Sequence, residues 1–162
     1  MNSKNAKFIT DHPKDSYAII RDKDNRISSI EIKNPELYPS DLESSLLALV
    51  ISNQIEDRAR FLSFSSKSIL KIKSLNPSMR TTLLISKSRK DPIEAARRLN
   101  ADEVGIRHGL ITPALIEAVR KAGLLVSVWT VDNLKDMERM IDLGADCIIT
   151  NYPDRLKRLL TK

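Results

Sequence analysis

The 162-residue sequence has one cysteine, one tryptophan and two histidines, and only 4% of its residues are aromatic. A single cysteine excludes an internal disulfide bond and a zinc site built from several cysteines. The scarcity of aromatic residues, with no stripe of Lys and Arg interleaved among them, argues against a nucleic-acid-binding surface. Cys147 lies in the apolar run CIIT, which predicts a buried structural thiol rather than a reactive one.

Long apolar runs are absent as well. No stretch reaches the length that spans a bilayer, and the N-terminal segment MNSKNAKFITDHPKD has no apolar core of signal-peptide length. These absences predict a soluble, cytoplasmic protein with no membrane span. The formal net charge of +6 would suit anionic phosphoesters or an acidic surface. Because the basic residues are scattered along predicted helix faces, an ordinary solvated surface is the favoured explanation.

Short β-branched runs alternate with helical patterns along most of the chain. Strands are predicted at Ser28–Ile32, Phe61–Phe64, Thr81–Ser86, Glu103–Ile106, Leu125–Trp129 and Asp146–Ile149, with helices at Ser40–Ile51, Ser66–Ser74, Asp91–Leu99, Thr112–Ala122, Asn133–Leu143 and Pro153–Leu160. Strict alternation of strand and helix predicts an α/β fold with a parallel sheet and right-handed crossovers. Tyr17–Ile20 is a candidate for one further short strand.

Two charged residues interrupt the first predicted strand. Glu31 and Lys33 alternate with Ile30 and Ile32, so both charged side chains point to one face of the strand. If that face is buried, the charges must be paired or bound to a ligand, such as a divalent cation at the carboxylate and a phosphate at the lysine. The alternative is an edge strand whose polar face lies in water, and the spacing alone favours that alternative.

Four motifs carry a family resemblance that reverses this preference. IEIKNPE contains Glu31 and Lys33, LSF ends at Phe64, VWTVDN contains Trp129, and GADCIITNYPDRL closes the chain. Together they resemble the Glu-x-Lys strand, the Ser-Phe strand end, the Trp-Thr-Val signature and the closing motif of the glycerophosphodiester phosphodiesterase family. The resemblance runs from about Ser28 to Leu160. The two C-terminal motifs are highly specific, whereas the Ser-Phe match is weak by itself.

The resemblance implies a barrel fold that this chain contains only in part. The family fold is a TIM (β/α) barrel of the phospholipase-C-like phosphodiesterase type, and a complete barrel has eight units over about 250 residues. The predicted elements give about six strand–helix units. We therefore expect a partial barrel, with residues 28–162 forming the C-terminal part of the phosphodiesterase domain and residues 1–27 a poorly defined lead-in.

The resemblance also implies chemistry and site residues. Family members hydrolyse glycerophosphodiesters to glycerol 3-phosphate and an alcohol, using a divalent cation and two histidines. Carried over by motif, Glu31 is the metal ligand, Lys33 contacts the substrate phosphate, and Phe64 and Trp129 line the substrate pocket. The expected cation is Mg²⁺ or Ca²⁺, bound weakly if this chain acts alone, because a lone glutamate leaves most of the oxygen shell to water.

Family motifs that precede the Glu-x-Lys strand are not found in this sequence. It has no His-Arg-Gly motif and no Glu-x-Asp pair ahead of Glu31, so no residue is assigned as catalytic.

One hypothesis is an enzyme whose missing front is supplied by another polypeptide or an unusual N-terminal arrangement. A second hypothesis, which we rank higher for this chain by itself, is an inactive truncated or split remnant that still binds phosphate. A third is an interaction module, because an incomplete barrel exposes two sheet edges that a second copy or a partner chain could cover.

Four other polar residues have simpler explanations. His12, in Thr-Asp-His-Pro, is predicted to lie in an exposed loop, and His108, beside Arg107 at the presumed barrel mouth, is predicted to serve capping or loop packing at least as well as phosphate contact. Asp132 and Asp136 begin a predicted helix, where the helix dipole favours negative charge. None of them is needed as a metal ligand.

Overall fold

The computed structural model describes residues 17–21, 26–33, 41–87 and 91–161. Within these ranges the strands are β1 (Tyr17–Arg21), β2 (Ile27–Ile32), β3 (Arg60–Ser63), β4 (Thr81–Ile85), β5 (Glu103–Arg107), β6 (Leu125–Trp129) and β7 (Cys147–Ile148). The helices are α1 (Leu42–Ser52), α2 (Ser66–Leu75), α3 (Pro92–Arg98), α4 (Pro113–Lys121), α5 (Leu134–Asp142) and α6 (Pro153–Leu160). Most predicted bounds differ by a residue or so; Ser40, the predicted start of the first helix, lies outside the described residues.

The described strands form one sheet in chain order, β1 to β7. Strands β2 to β7 run parallel and each is followed by a helix, which confirms the predicted α/β fold and its partial barrel. β1 confirms the short strand predicted at Tyr17–Ile20, and it pairs antiparallel with β2 from Tyr17↔Ile32 to Arg21↔Ile27. Part of the predicted lead-in thus joins the sheet, and the domain boundary at residue 28 stays a prediction.

Helix ends follow the local chemistry of the sequence. The Asp91 carboxylate accepts hydrogen bonds from the first backbone N–H groups of α3, and the Thr112 hydroxyl does the same for α4; each is followed by a proline at the first helical position. Gly123 and Gly144 follow α4 and α5 with φ of +76°, a left-handed conformation that costs glycine little. These caps fix where each crossover helix starts and stops.

One face of the sheet is apolar and packs against the helices in two clusters. The first cluster includes Ile32, Phe61, Leu42 and Leu46, which join β2 and β3 to α1. The larger cluster covers β4 to β6 with α3, α4 and α5. It includes Met137 and Met140, both fully buried as their helical spacing predicts. Both clusters lie between the strands and the helices, on the outer face of the sheet.

The opposite, inner face of the sheet is unusually polar for a barrel interior, which branched apolar residues normally fill. The buried Glu103 carboxylate forms an ion pair with Arg60, whose guanidinium also lies 3.4 Å from the Cys147 Sγ. The Thr82 and Ser127 hydroxyls are buried beside them without a partner among the described residues. The sequence predicts a buried thiol at Cys147, and the structure shows a half-buried one whose pKa is raised by burial. The contact of this thiol with Arg60 was not predicted.

Candidate functional site

Three of the four predicted site residues meet at the carboxyl end of the inner face. Glu31, Phe64 and Trp129 line an open cavity of about 220 Å³ together with four other residues. The lining residues are Glu31, Leu62, Phe64, Leu84, Trp129, Thr130 and Ile149. Since β2 to β7 are parallel, their carboxyl ends meet at one rim, and this is where parallel α/β folds bind ligands.

The carboxylate of Glu31 is half-buried in this cavity. Burial raises the pKa of Glu31 above its ordinary value, and the positive charge of the nearby Lys33 opposes this shift. Lys33 itself is exposed and does not line the cavity. The pair therefore consists of a carboxylate that lines the cavity and a solvated cation beside it, and the metal and phosphate contacts expected of them stay predictions.

Phe64 and Trp129 form an aromatic pair over the cavity. Their ring centroids lie 5.4 Å apart at an interplanar angle of 85°, an edge-to-face contact favoured by the ring quadrupoles. The Trp129 indole Nε1–H donates a 2.9 Å hydrogen bond to the backbone carbonyl of Gly105. Phe64 follows β3 and Trp129 ends β6, so the contact requires a strongly curved sheet.

Gly105, whose carbonyl accepts the Trp129 hydrogen bond, has no side chain, and this lets the neighbouring side chains of β4 and β6 pack closely against it. A Cβ atom there would lie 2.6 Å from Leu84 Cδ2 and 3.1 Å from both the Ser127 Oγ and the Thr82 Cγ2. Leu84 forms part of the cavity lining. Sequence reasoning missed Gly105, although an isolated glycine inside a strand pattern is a recognised sign of close approach.

Replacement of Gly105 by alanine is expected to destabilise the protein by about 1–3 kcal/mol, the usual range for overpacking. It should also change the emission of Trp129, because the Leu84 side chain, which lines the cavity with Trp129, must move away from the added methyl group. Urea unfolding and tryptophan fluorescence measure the two effects. Gly109→Ala is the matched control, since a Cβ at Gly109 meets nothing within 4 Å; equal effects of the two substitutions would contradict the argument.

Asp132 has a role that differs from the predicted one. Its carboxylate accepts hydrogen bonds from the Asn151 N–H at 2.9 Å, the Asn151 Nδ2 at 2.9 Å and the Thr150 hydroxyl at 3.1 Å. Chiefly through the Asn151 N–H, these bonds lower the pKa of Asp132. The cap of α5 is instead Asn133. Asp132 thus ties the loop after β7 to the rim, a non-local contact that no local pattern indicates.

The remaining candidates lie at the rim or outside the described residues. Arg107 is exposed at the end of β5, and His108 begins a single 3₁₀ turn, His108–Leu110. The His108 Nδ1 is buried and has no partner among the described residues. His12 lies outside the described residues. Across the described ranges, no three His, Cys, Asp or Glu side chains converge as a metal-binding group, so Glu31 stands as a single predicted ligand.

None of the helices in the described part of the chain combines the length and the apolarity needed to cross a membrane.

Comparisons with known proteins agree with the motifs. The sequence model of the "Glycerophosphoryl diester phosphodiesterase family" matches residues 19–155. A glycerophosphodiester phosphodiesterase of Caldanaerobacter subterraneus subsp. tengcongensis is 35% identical over 147 residues, which cover 90% of this chain and 60% of that protein. The chain therefore spans about three-fifths of the length of this curated relative.

Solved structures agree on the fold. A glycerophosphodiester phosphodiesterase of Parabacteroides distasonis superimposes with a TM-score of 0.67 at 23% identity, over 75% of this chain and 50% of that chain. A phosphodiesterase of Oleispira antarctica, solved in complex with the product sn-glycerol-3-phosphate, superimposes with a TM-score of 0.75 at 16% identity, over 82% of this chain and 54% of that chain. At these identities the likeness shows the fold alone.

Proposed function

Because the chain belongs to the glycerophosphoryl diester phosphodiesterase family, we propose that it provides the phosphoester-binding part of a metal-dependent phosphodiesterase site. The proposed reaction is hydrolysis of glycerophosphodiesters to glycerol 3-phosphate and an alcohol, once the acid and base are supplied from outside the described residues. The observation that supports this most is the cavity that Glu31 and the aromatic pair line together, with Lys33 close to Glu31.

Each side chain has a proposed task that follows from its chemistry. Lys33 neutralises a phosphate oxygen as a solvated point charge. Phe64 and Trp129 cover the organic part of the substrate and exclude water from it. Glu31 is proposed as a ligand for Mg²⁺ or Ca²⁺, which would stabilise negative charge on the phosphoryl oxygens when bound.

The donor set around Glu31 fits a cation only weakly. Its carboxylate receives no hydrogen bond from the described residues and faces an open cavity, so it is available to a cation. Mg²⁺ and Ca²⁺ take about six to eight oxygen ligands, and among the described residues that line the cavity Glu31 offers the one carboxylate. Water, the substrate phosphate and residues from elsewhere must complete the shell. No described residue is proposed as the catalytic acid or base.

A second candidate is a phosphate-binding module without turnover, alone or assembled with a partner chain. One observation favours it: β1 pairs antiparallel along the whole of β2. In a closed barrel that edge of β2 carries a parallel strand, so closure next to β2 would require β1 to be displaced. This candidate keeps the roles proposed for Lys33 and the aromatic pair and gives up the hydrolysis.

The deciding experiment measures release of sn-glycerol 3-phosphate from glycerophosphodiesters by the purified wild-type chain. If residues of the chain outside the described ranges supply the acid and base, we expect release with added Mg²⁺ or Ca²⁺ and none after chelation. Glu31→Ala, purified identically, controls for a contaminating phosphodiesterase and should give no product. A folded wild type that binds sn-glycerol 3-phosphate but releases none would support the binding module. A folded wild type that neither hydrolyses nor binds would overturn both candidates.

A further inference from the structure

Ser63 is a fully buried serine at the end of β3 whose hydroxyl makes two hydrogen bonds. The hydroxyl donates to the backbone carbonyl of Ile32 at 2.9 Å and accepts from the backbone N–H of Ser65 at 3.0 Å. Ser63 and Ile32 are paired in the parallel register, and they are the last residues of β3 and β2. One hydroxyl therefore joins the ends of two strands to the turn that follows β3.

The two bonds of Ser63 lie on the backbone beside proposed substrate contacts. Ile32 directly precedes Lys33, and the carbonyl that Ser63 holds belongs to the peptide unit between them. Phe64 lies between Ser63 and Ser65, so the second bond closes a turn with Phe64 at its centre. The bonds thus fix the backbone from which the side chains of Lys33 and Phe64 project.

Ser63 itself lies behind the cavity. Leu62 and Phe64 line the cavity from β3 and the turn after it, and Ser63, between them, points to the other face of the sheet. Phe61 packs against the helices on that face. Ser63 is not among the described residues that line the cavity. Any effect of its hydroxyl on a ligand therefore passes through the backbone of Lys33 and Phe64.

The turn that carries Phe64 is held at both ends. Ser63 holds it on the strand side, and on the helix side the Ser65 hydroxyl caps α2 by accepting from the Ser68 N–H at 3.3 Å. Phe64 is 45% exposed, yet its ring keeps an edge-to-face contact with Trp129. An exposed ring has few packing contacts to direct it, so the hydrogen-bonded turn supplies much of that constraint.

We propose that Ser63 is a positioning residue, which holds the Lys33 backbone and Phe64 in the arrangement that binds a phosphoester. This inference rests on the proposed function, in which Lys33 contacts the phosphate and Phe64 covers the organic part of the substrate. A preorganised site loses less conformational freedom when a ligand binds. Loss of the Ser63 hydroxyl should therefore weaken binding although Ser63 does not line the cavity.

Ser63→Ala tests this role, with Ser68→Ala as the matched control. Ser68 is also fully buried, and its hydroxyl donates to the Glu43 carboxylate at 2.6 Å, between α2 and α1. Urea unfolding measures the loss of stability, which a merely structural role would produce in both variants. In calorimetric titration with sn-glycerol 3-phosphate, Ser63→Ala should bind roughly threefold to tenfold more weakly than wild type, the equivalent of about one hydrogen bond. Ser68→Ala should bind as wild type does.

Near-ultraviolet circular dichroism reports the ring contact without any ligand. Trp129 is the single tryptophan of the chain, so the tryptophan bands of the spectrum belong to it. Ser63→Ala should weaken these bands because Phe64 is no longer held against the indole. Ser68→Ala should keep the wild-type bands, since its lost hydrogen bond lies on the helix side of the sheet.

Unchanged binding in Ser63→Ala, where wild type binds, would overturn the positioning role and leave the proposed function in place. Equal changes of Kd and spectrum in the two variants would also overturn it, because the cause would then be a general loss of structure. If folded wild type binds no sn-glycerol 3-phosphate, the proposed function fails, and unchanged tryptophan bands in Ser63→Ala would overturn the placement of Phe64 by Ser63 as well.

Discussion

Replacement of Arg60 by methionine is expected to destabilise the protein by about 3–5 kcal/mol, the usual loss when one partner of a buried ion pair is removed. Only 4% of the Glu103 side chain is exposed, against 22% for Arg60. One Glu103 oxygen is bound by Arg60, and the other has no partner among the described residues. Methionine leaves the carboxylate buried and uncompensated. Urea unfolding followed by circular dichroism measures the loss.

The double substitution Arg60→Met with Glu103→Met separates the lost pair from the lost packing. Once both charges are gone, stability should return to within about 1 kcal/mol of wild type, because buried pairs contribute little net free energy relative to apolar replacements. Arg98→Met is the control for removing an arginine, since Arg98 pairs with Glu94 on the exposed surface of α3. A double variant no more stable than Arg60→Met would show that Glu103 is not the cause.

The elements of this fold follow from local patterns in the sequence. Apolar residues at helical spacing, such as Met137 and Met140, predict the buried faces of the helices. Asp91 and Thr112, each followed by a proline, predict the helix starts. These signals are local because a helix and its caps are formed by residues within a few positions of one another. Alternation in β2 likewise predicts that Glu31 and Lys33 share a face.

The polar groups of the inner face could not be predicted in this way. Arg60 and Glu103 are 43 residues apart, and Asp132 is 19 residues from Asn151. Their partners depend on which strands become neighbours and on how far the sheet curves.

Replacement of Glu31 by glutamine is expected to raise the free energy of unfolding at neutral pH and to weaken cation binding. Burial raises the folded-state pKa of Glu31 above 4.5, so the folded protein prefers the protonated carboxyl. Because the folded state binds this proton more tightly than the unfolded state, protonation of Glu31 contributes to the free energy of unfolding. This contribution is fully present below pH 4.5 and is lost as the pH rises through the raised folded-state pKa. Glutamine cannot ionise, so the variant should be the more stable protein at neutral pH and equal to wild type in acid.

Cation binding should show the reverse order. Cations bind the ionised carboxylate, so wild type should be stabilised by Mg²⁺ or Ca²⁺ increasingly as the pH rises, by about 2.7 kcal/mol when the free cation reaches a hundredfold its Kd. Glu31→Gln should lose this stabilisation. Urea unfolding with and without the cation, in acid and at neutral pH, measures both effects. Glu117→Gln is the control, because Glu117 is exposed on α4 and paired with Lys121. If cation stabilisation persists in Glu31→Gln, the cation binds elsewhere. If the variant is less stable than wild type at neutral pH without the cation, favourable contacts of the carboxylate outweigh the cost of burying it.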